Sequence, residues 1–355
     1  MKIVEFGSEF DWLSNDPFIT KFNNNFLAGN NAQKYRSGRD ALKAVAIAYL
    51  KRTNKVLLPA LCCESMVLPF TMNGYQPIFY KMNSDYTANV ADIEGKIEEN
   101  CIFLYMSFFG IVPLGQAKLE EWRKRYNAVI IEDRTQNALN NKDNQSFVPD
   151  ITITSIRKWL AIPDGGLLWS KEKIDVNLRR NDNFANIRKD AMLKKSKYLE
   201  SGEENLKGEY LYALQKASMI LDENNLPYAM STQSEQILDQ IDFEKILTQR
   251  QNNVYELEKM LRSLVKQNKI SFVSQKPQDS ALYFPILVSD RDALQKKLAE
   301  QKIYCPVIWP VPQQAVGVCD VAEYTAKHIL ALPCDQRYNA NDMRHIARTI
   351  IKLLK

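Results

Sequence analysis

The sequence predicts an α/β fold, in which a mostly parallel central sheet is flanked by helices and a smaller α/β domain follows at the C-terminus. Two observations support this prediction. From residue 56 onward, short apolar, β-prone runs alternate with polar, helix-compatible segments, and parallel strands require such crossover connections. The runs are apolar without interruption, as expected for strands that are buried on both faces.

The predicted elements of the larger, N-terminal part follow in order along the chain. The apolar segment after Ser37-Gly38 predicts a helix, and KLEEWRKRYN at 118–127 predicts another. Residues 171–230 are charged and rich in lysine, so helices and loops are expected there. The predicted strands are VLLP at 56–59, PIFY at 77–80, IFLYMS at 102–107, VIIED at 129–133, ITITS at 151–155 and GGLLWS at 165–170.

The C-terminal part of the chain predicts a second, smaller unit. We expect residues 1–235 to form a large cofactor-binding domain and residues 236–355 a small domain. An amphipathic pattern from Ser231 to about Gln267 predicts helices that lead into this unit. Its other predicted parts are apolar runs at 281–289 and 303–309 and helices at 290–301 and from Asn341.

The composition excludes several classes of protein. The 355 residues are 45% hydrophobic and 25% charged, which is ordinary for a globular protein with a substantial core. No apolar run approaches the ~20 residues of a membrane span, and the N-terminus does not resemble a signal peptide. The net charge of +5 is spread along the chain, without a basic nucleic-acid-binding patch. We therefore expect a cytoplasmic protein with neither a membrane nor a nucleic-acid partner.

The six cysteines predict neither disulfides nor a metal site. Cys62 and Cys63 are adjacent, and the other four show no paired metal-ligand spacing. Free, reduced thiols are therefore expected.

Two of the four candidate sites lie at the ends of predicted elements. Ser37-Gly38 precedes an apolar helix, where unpaired N–H groups and the helix dipole favour an anion such as phosphate. Ser37 or Asp40 can equally be no more than a helix cap. Asp133 lies at the carboxyl end of a buried strand, where ligands of open α/β sheets bind, but it can also be a turn residue.

The other two candidates are Lys158 and the segment Pro163-Asp164-Gly165-Gly166. A lone lysine is usually a solvated surface group, and the second segment can be a simple hairpin turn. Together, however, the candidates supply the three contacts that pyridoxal phosphate needs. These are a helix N-terminus that can bind phosphate, a carboxylate at the end of one strand and a lysine at the end of the next. The lysine bonds to its aldehyde, the carboxylate keeps the ring nitrogen protonated, and the helix terminus binds the phosphate.

Five blocks of sequence, in the expected order, resemble the DegT/DnrJ sugar aminotransferases, a family of fold type I pyridoxal phosphate enzymes. They are SGRDAL, VLLPALCCESMVLPFTMNGYQPIFYKMN, YMSFFGIVPLGQ, VIIEDRTQNAL and RKWLAIPDGG. The closing ILALPCDQRYNANDM resembles the family's Leu-Pro ending. Counting back from the glycine pair places Lys158 on the family's Schiff-base lysine. The resemblance thus implies the fold type I aminotransferase fold.

The resemblance also implies roles for individual residues. Lys158 would be the covalent anchor and the proton shuttle, Asp133 would partner the pyridine nitrogen, and Gln136 would lie beside the ring hydroxyl. Cys63 occupies the position where the family places an aromatic residue against the cofactor ring. The residues implied around the phosphate are Gly38, Arg39 and Asp40, through their backbone groups, and Ser155, through its hydroxyl.

The function that the resemblance implies is amino-group transfer, from glutamate to a keto group of a nucleotide-linked sugar, by a homodimer with a shared site. Arg39, Cys63 and Asp164 depart from the family pattern at cofactor-contact positions. These departures leave open the alternative of a pyridoxal-phosphate-binding scaffold or regulatory protein without turnover. A third possibility, a cofactor-dependent sugar dehydratase, is disfavoured because one such type replaces the lysine by histidine, whereas Lys158 is retained.

Overall fold

A computed structural model describes residues 3–12, 16–19, 32–139, 148–274 and 282–355. Its strands are β1 Phe6–Gly7, β2 Gln33–Tyr35, β3 Lys55–Pro59, β4 Gln76–Tyr80, β5 Ile102–Met106, β6 Val129–Asp133, β7 Ile151–Thr154, β8 Gly166–Ser170, β9 Ile270–Phe272, β10 Phe284–Val288, β11 Ile303–Tyr304 and β12 Ile329–Leu332. Its α-helices are α1 Gly38–Tyr49, α2 Glu64–Thr71, α3 Val90–Glu94, α4 Gln116–Tyr126, α5 Asn183–Ser201, α6 Glu204–Ile220, α7 Thr232–Leu238, α8 Phe243–Lys266, α9 Arg291–Glu300, α10 Asp320–His328 and α11 Ala340–Leu353.

The central sheet has seven strands in the order β2-β8-β7-β6-β5-β3-β4. Strands β3 to β7 pair in parallel, whereas β8 is antiparallel to both of its neighbours, β7 and β2. The predicted α/β fold with a mostly parallel sheet is confirmed. The connection from β7 to β8 contains only a 3-10 turn and no crossover helix, so the chain returns beside β7 in the opposite direction.

Apolar clusters cover both faces of this sheet. On one face, Val56 and Leu58 of β3 pack in a cluster with Val45 of α1. On the other face, Leu57 of the same strand packs in a cluster with Trp122 of α4. Successive side chains of a strand point to opposite faces, so the uninterrupted apolar runs of the sequence are buried between two layers of helices.

A second, three-stranded antiparallel sheet has the order β12-β10-β9. The predicted apolar run 303–309 is strand only in β11, after which Cys305-Pro306 leaves the ladder, since proline has no N–H to donate. Strand β11 pairs in parallel with β1 near the N-terminus. The division into domains at residue 235 stays a prediction.

The remaining helical predictions agree with the described residues. Helices α5 and α6 lie within 171–230, α7 and α8 within the amphipathic stretch, and α9 and α11 in the C-terminal part. Residue 281, the first of the predicted run 281–289, lies outside the described residues. None of the described helices is both long enough and apolar enough to cross a membrane.

Candidate active site

The carboxyl ends of β6 and β7 meet the beginning of α1 at a small cavity of about 80 Å³. Asp133 is the last residue of β6, and Lys158 ends the 3-10 turn that follows β7. All of the predicted site residues except Asp40 line this cavity: Gly38, Arg39, Cys63, Asp133, Gln136, Ser155 and Lys158. The structure therefore brings together residues that are more than a hundred positions apart in the sequence.

Helix α1 begins at this cavity with a side-chain cap. Ser37 is the N-cap, and its hydroxyl accepts a hydrogen bond from the Asp40 N–H at 3.2 Å. The buried Asp40 carboxylate accepts hydrogen bonds from Arg36 Nε at 3.0 Å, from Arg36 Nη2 at 2.8 Å and from the Ser37 hydroxyl at 2.5 Å. Both the N–H and the carboxylate of Asp40 are thus engaged within the cap. The structure does not bring Asp40 to the cavity with the other predicted phosphate contacts.

The glycine pair makes room for the beginning of α1. A Cβ atom on Gly166 would lie 2.3 Å from the backbone carbon of Ser37 and 2.7 Å from the Gly38 nitrogen. A Cβ on Gly38 would come within 3.2 Å of the Ser155 Cβ, which is already tight. Any larger residue at position 166 would therefore push β8 away from the helix terminus. The close approach of Gly166 is thus to Ser37 and Gly38, at the beginning of α1.

Lys158 is partly exposed to the cavity, and its surroundings favour the neutral amine. Burial lowers the pKa of Lys158. Cys63 and Asp133 oppose this shift, whereas the cations of Arg157 and Arg39 add to it. A lysine with a lowered pKa has a larger neutral fraction near pH 7, and only the neutral amine attacks a carbonyl or accepts a proton.

Asp133 is buried at the bottom of the cavity, and burial raises its pKa. Hydrogen bonds from Thr135, including one from its N–H at 2.8 Å, oppose the shift, and the positive charge of Lys158 opposes it more weakly. The carboxylate is therefore incompletely compensated by the protein, and a cation in the cavity would stabilise its charged form.

Gln136, Ser155 and Cys63 are held by neighbouring residues. Gln136 Oε1 accepts a hydrogen bond from the Phe109 N–H at 3.0 Å. The Ser155 N–H donates to Thr135 Oγ1 at 3.0 Å, so Thr135 contacts both strand ends of the site. Cys63 Sγ lies 2.8 Å from the hydroxyl of Ser65, at the beginning of α2.

Two of the residues that depart from the family pattern have their side chains bound elsewhere. Arg39 Nη1 donates to both carboxylate oxygens of Asp222, at 2.8 and 2.9 Å. The buried Asp164 accepts hydrogen bonds from the Ser231 N–H at 2.9 Å, the Ser231 hydroxyl at 2.6 Å and the Ser234 hydroxyl, at the beginning of α7. Asp164 does not line the small cavity. Arg39 does line it, but its guanidinium is bound to Asp222.

A larger cavity of about 740 Å³ lies beside the small one, and both are lined by Gln136, Arg157, Lys158 and Trp309. Our sequence analysis assigned no site role to Arg157 or Trp309. Arg157 adjoins Lys158, so its position alone was a usable signal. Trp309 lies in the C-terminal part of the chain, where no local pattern links it to the site.

Comparisons with known proteins give one family and many structures. Residues 235–351 match the model of the DegT/DnrJ/EryC1/StrS aminotransferase family. A search of curated proteins finds no match for the sequence. A putative sugar aminotransferase from Streptococcus pneumoniae, in its PLP form, has a similar structure, with a TM-score of 0.68 and 16% sequence identity. The superposition covers 100% of this chain and 99% of the Streptococcus pneumoniae chain.

Two further structures have the same fold. The Helicobacter pylori aminotransferase PseC, involved in the biosynthesis of pseudoaminic acid, is 14% identical with a TM-score of 0.62, covering 99% of each chain. DesI, solved in the presence of its TDP-sugar product, is 12% identical with a TM-score of 0.65. The superposition covers 96% of this chain and 86% of the DesI chain. The chain therefore has the fold of the pyridoxal phosphate fold type I aminotransferases, and its residues 235–351 match the DegT/DnrJ/EryC1/StrS family.

Proposed function

We propose that this chain is a pyridoxal-phosphate-dependent aminotransferase that aminates a keto group of a nucleotide-linked sugar. One observation carries the proposal: a lysine with a lowered pKa, a buried carboxylate and a helix N-terminus line one cavity at the carboxyl edge of a parallel sheet. Structures of the same fold are named as sugar aminotransferases, and one is named with a TDP-sugar product. These names support the choice of acceptor.

The residues present fit the cofactor. Burial leaves the charge of Asp133 incompletely compensated, so a protonated ring nitrogen is the cation that this carboxylate would hold. The backbone of Gly38 and Arg39 at the first turn of α1 would hold the phosphate with the Ser155 hydroxyl. The residues that would contact the remaining parts of the ring and the aldehyde are Gln136, Cys63 and Lys158.

The chemistry of the protein itself then centres on Lys158. Pyridoxal phosphate, when bound, supplies an electron sink for the negative charge that develops on the substrate carbon. Lys158 Nζ would remove the proton from the α-carbon of the donor and return a proton to the acceptor carbon, as a general base and then a general acid. Its lowered pKa favours the first of these roles. Asp133 would keep a proton on the ring nitrogen throughout.

A scaffold without turnover has less support from this geometry. That alternative was motivated by Arg39, Cys63 and Asp164, but the side chains of Arg39 and Asp164 are bound to Asp222 and to the beginning of α7. Cys63 and Arg39 both line the small cavity, but the guanidinium of Arg39 is held by Asp222. Glutamate remains the amino donor that we propose, in a protein of the cytoplasm.

We also propose a homodimer. Helix α6 has Tyr212 and Met219 exposed two turns apart on one face, with Leu211 beside them, and a second copy of the chain would cover such an apolar surface. Sedimentation should give a species of about twice the 41.0 kDa of one chain. A species that stays monomeric with cofactor bound would contradict the shared site.

The colour of the purified protein tests the proposed function directly. The protein should be yellow with pyridoxal phosphate and should lose the colour when glutamate is added, and a keto-sugar nucleotide should restore it. A protein that stays colourless with added cofactor would contradict cofactor binding. A yellow protein that no amino donor bleaches would favour the scaffold.

A further inference from the structure

Arg157 is a half-buried cation whose guanidinium is not bound by any of the described residues. Its Nε is buried and has no hydrogen-bond partner. Across the described ranges of the chain, its guanidinium makes no hydrogen bond and no ion pair; its only hydrogen bond there joins its backbone N–H to the Gly165 carbonyl oxygen at 3.2 Å. A guanidinium has five N–H donors, and among the described residues no acceptor binds those of Arg157, so a ligand in the cavity can bind them.

Nearby arginines differ from Arg157 in this respect, including Arg39 and Arg337, each of which lines one of the two cavities. Arg39 is bound by Asp222. Arg188 donates to Glu9 Oε2 and to the Pro163 carbonyl oxygen, each at 2.7 Å. Arg337 donates to both carboxylate oxygens of Asp335, at 2.8 and 2.9 Å. Each of these side chains is used by the fold, whereas the described structure gives Arg157 no such use.

The charge of Arg157 persists in spite of burial. Burial lowers the pKa of Arg157 to about 10, with a further lowering by Arg188 and an opposing effect of Glu9. The side chain is therefore still protonated at neutral pH. A charge that is partly withdrawn from water is unfavourable unless it is paired and hydrogen-bonded, and Arg157 Nε is buried without a partner, so the cavity favours an anionic ligand at this position.

We propose that Arg157 binds the α-carboxylate of the amino donor, an inference that rests on the proposed function. Arg157 adjoins Lys158, and both residues line both cavities. Lys158 must reach the hydrogen on the α-carbon, and the α-carboxylate is bonded to that same carbon. A guanidinium beside Lys158 is thus placed for the carboxylate, with which it can form two parallel hydrogen bonds.

This role makes Arg157 a determinant of donor choice. It distinguishes α-amino acids from amines that have no carboxylate, because only the former would compensate the buried charge. It also orients the donor in the larger cavity, with the α-carboxylate at Arg157 and the side chain of the donor pointing into the open volume.

The test compares Arg157→Gln with the wild type and with Arg180→Gln. Arg180 is a partly exposed arginine bound to Glu235 and Thr232, away from both cavities, so it controls for loss of a positive charge. The glutamate concentration that half-bleaches the holoenzyme should rise about 10- to 100-fold in Arg157→Gln, the effect of losing charged hydrogen bonds. The benzylamine concentration that half-bleaches the holoenzyme at the same fixed pH should stay unchanged, because benzylamine has no carboxylate.

A binding measurement supplies a readout that needs no turnover. Calorimetric titration with glutarate, a dicarboxylate with no amino group, should show binding to the wild type and to Arg180→Gln, and weaker binding by a similar factor in Arg157→Gln. Arg157→Lys keeps the positive charge but cannot form two parallel hydrogen bonds to a carboxylate, so its affinity for glutarate should be intermediate. It also replaces Arg157→Gln if circular dichroism shows that the latter fails to fold.

The outcomes separate this inference from the proposed function. If glutamate bleaches the wild type and Arg157→Gln at equal concentrations, the inference is wrong and the aminotransferase stands. If Arg157→Gln weakens only the reaction with the keto acceptor, the assignment to the donor is wrong. A wild type that takes up no cofactor would contradict the proposed function, and the inference with it.

Discussion

Two polar clusters reach the larger cavity, one through Arg250 and the other through Arg157 and Lys158, and they differ in how far the protein satisfies them. In the first, Arg250 Nε donates to Gln336 Oε1 at 2.7 Å, and its other nitrogens donate to the carbonyl oxygens of Leu282 and Trp159. In the second, Lys158, Arg157 and Asp133 line the small cavity together, and none of the three forms an ion pair with any of the described residues.

The difference separates a structural cluster from a site. Burial lowers the pKa of Arg250, Arg157 and Lys158 alike, so a shifted pKa does not distinguish the two clusters. Hydrogen-bond satisfaction does: the fold uses the first cluster to join α8 to the C-terminal part, and leaves the second incomplete. A polar cluster that the protein leaves incomplete is one that a ligand can complete.

The largest effect is expected for Lys158→Ala, which removes the centre of the incomplete cluster. Turnover should fall by several powers of ten, because proton transfer alone contributes roughly 10²–10⁴-fold and the covalent attachment is lost as well. The yellow colour should disappear while circular dichroism stays that of the wild type. Borohydride reduction of the wild type followed by peptide mapping checks the assignment; a label on any other lysine would show that it is wrong.

Asp133→Asn tests the same cluster from its carboxylate side. The amide cannot stabilise a positive ring nitrogen, so turnover should fall about 10²- to 10³-fold, the usual cost of removing one electrostatic partner of the transition state. Lys158 is still present, so the protein should remain yellow. Steady-state kinetics and the absorbance spectrum measure the two effects. Turnover equal to that of the wild type would contradict the role of Asp133.

The comparison itself is tested by stability. Arg250→Met removes the Arg250 donors from Gln336 Oε1 and the Leu282 carbonyl oxygen, and one of two donors from the Trp159 carbonyl oxygen, so the free energy of unfolding should fall by about 2–4 kcal/mol. Arg157→Met removes a buried charge with no partner, so stability without cofactor should stay the same or rise. Urea denaturation of the two variants gives both values. Equal losses of stability would mean that Arg157 is as structural as Arg250.

Much of the fold follows from local patterns in the sequence. Strands β3, β5 and β6 are nearly uninterrupted apolar runs because both of their faces are buried, and the polar end of β6 placed Asp133 at the carboxyl edge of the sheet. Lys158 was found from its distance to the glycine pair. The structure confirms that these residues share one cavity, while their roles toward a cofactor stay predictions.

The parts that sequence reasoning missed depend on contacts between distant residues. Asp40 was expected among the phosphate contacts, but the side chains of Arg36 and Ser37 hold it within the cap. Trp309 reaches the site only because the C-terminal part of the chain folds back over it. Strand β12 begins at Ile329, directly after α10 ends at His328, without the turn residues that mark a boundary.

The smallest effect that we predict concerns the pH dependence of the donor half-reaction. Its rate should rise as Lys158 loses its proton, with an inflection below the ordinary lysine value of about 10.4, because burial lowers the pKa of Lys158. The positive charge of Arg157 contributes to that lowering, so the inflection should move to higher pH in Arg157→Gln.

The sign follows from the charges: a neighbouring cation disfavours the protonated amine, and removing it lets Lys158 keep its proton to a higher pH. Stopped-flow rates of bleaching at saturating glutamate across the pH range measure the inflection, and Arg180→Gln should keep the wild-type profile. Benzylamine should show the same shift in Arg157→Gln, because the shift arises from the protein and not from the donor carboxylate. An inflection that stays in place with both donors would mean that Arg157 does not act on Lys158, even if it binds the carboxylate.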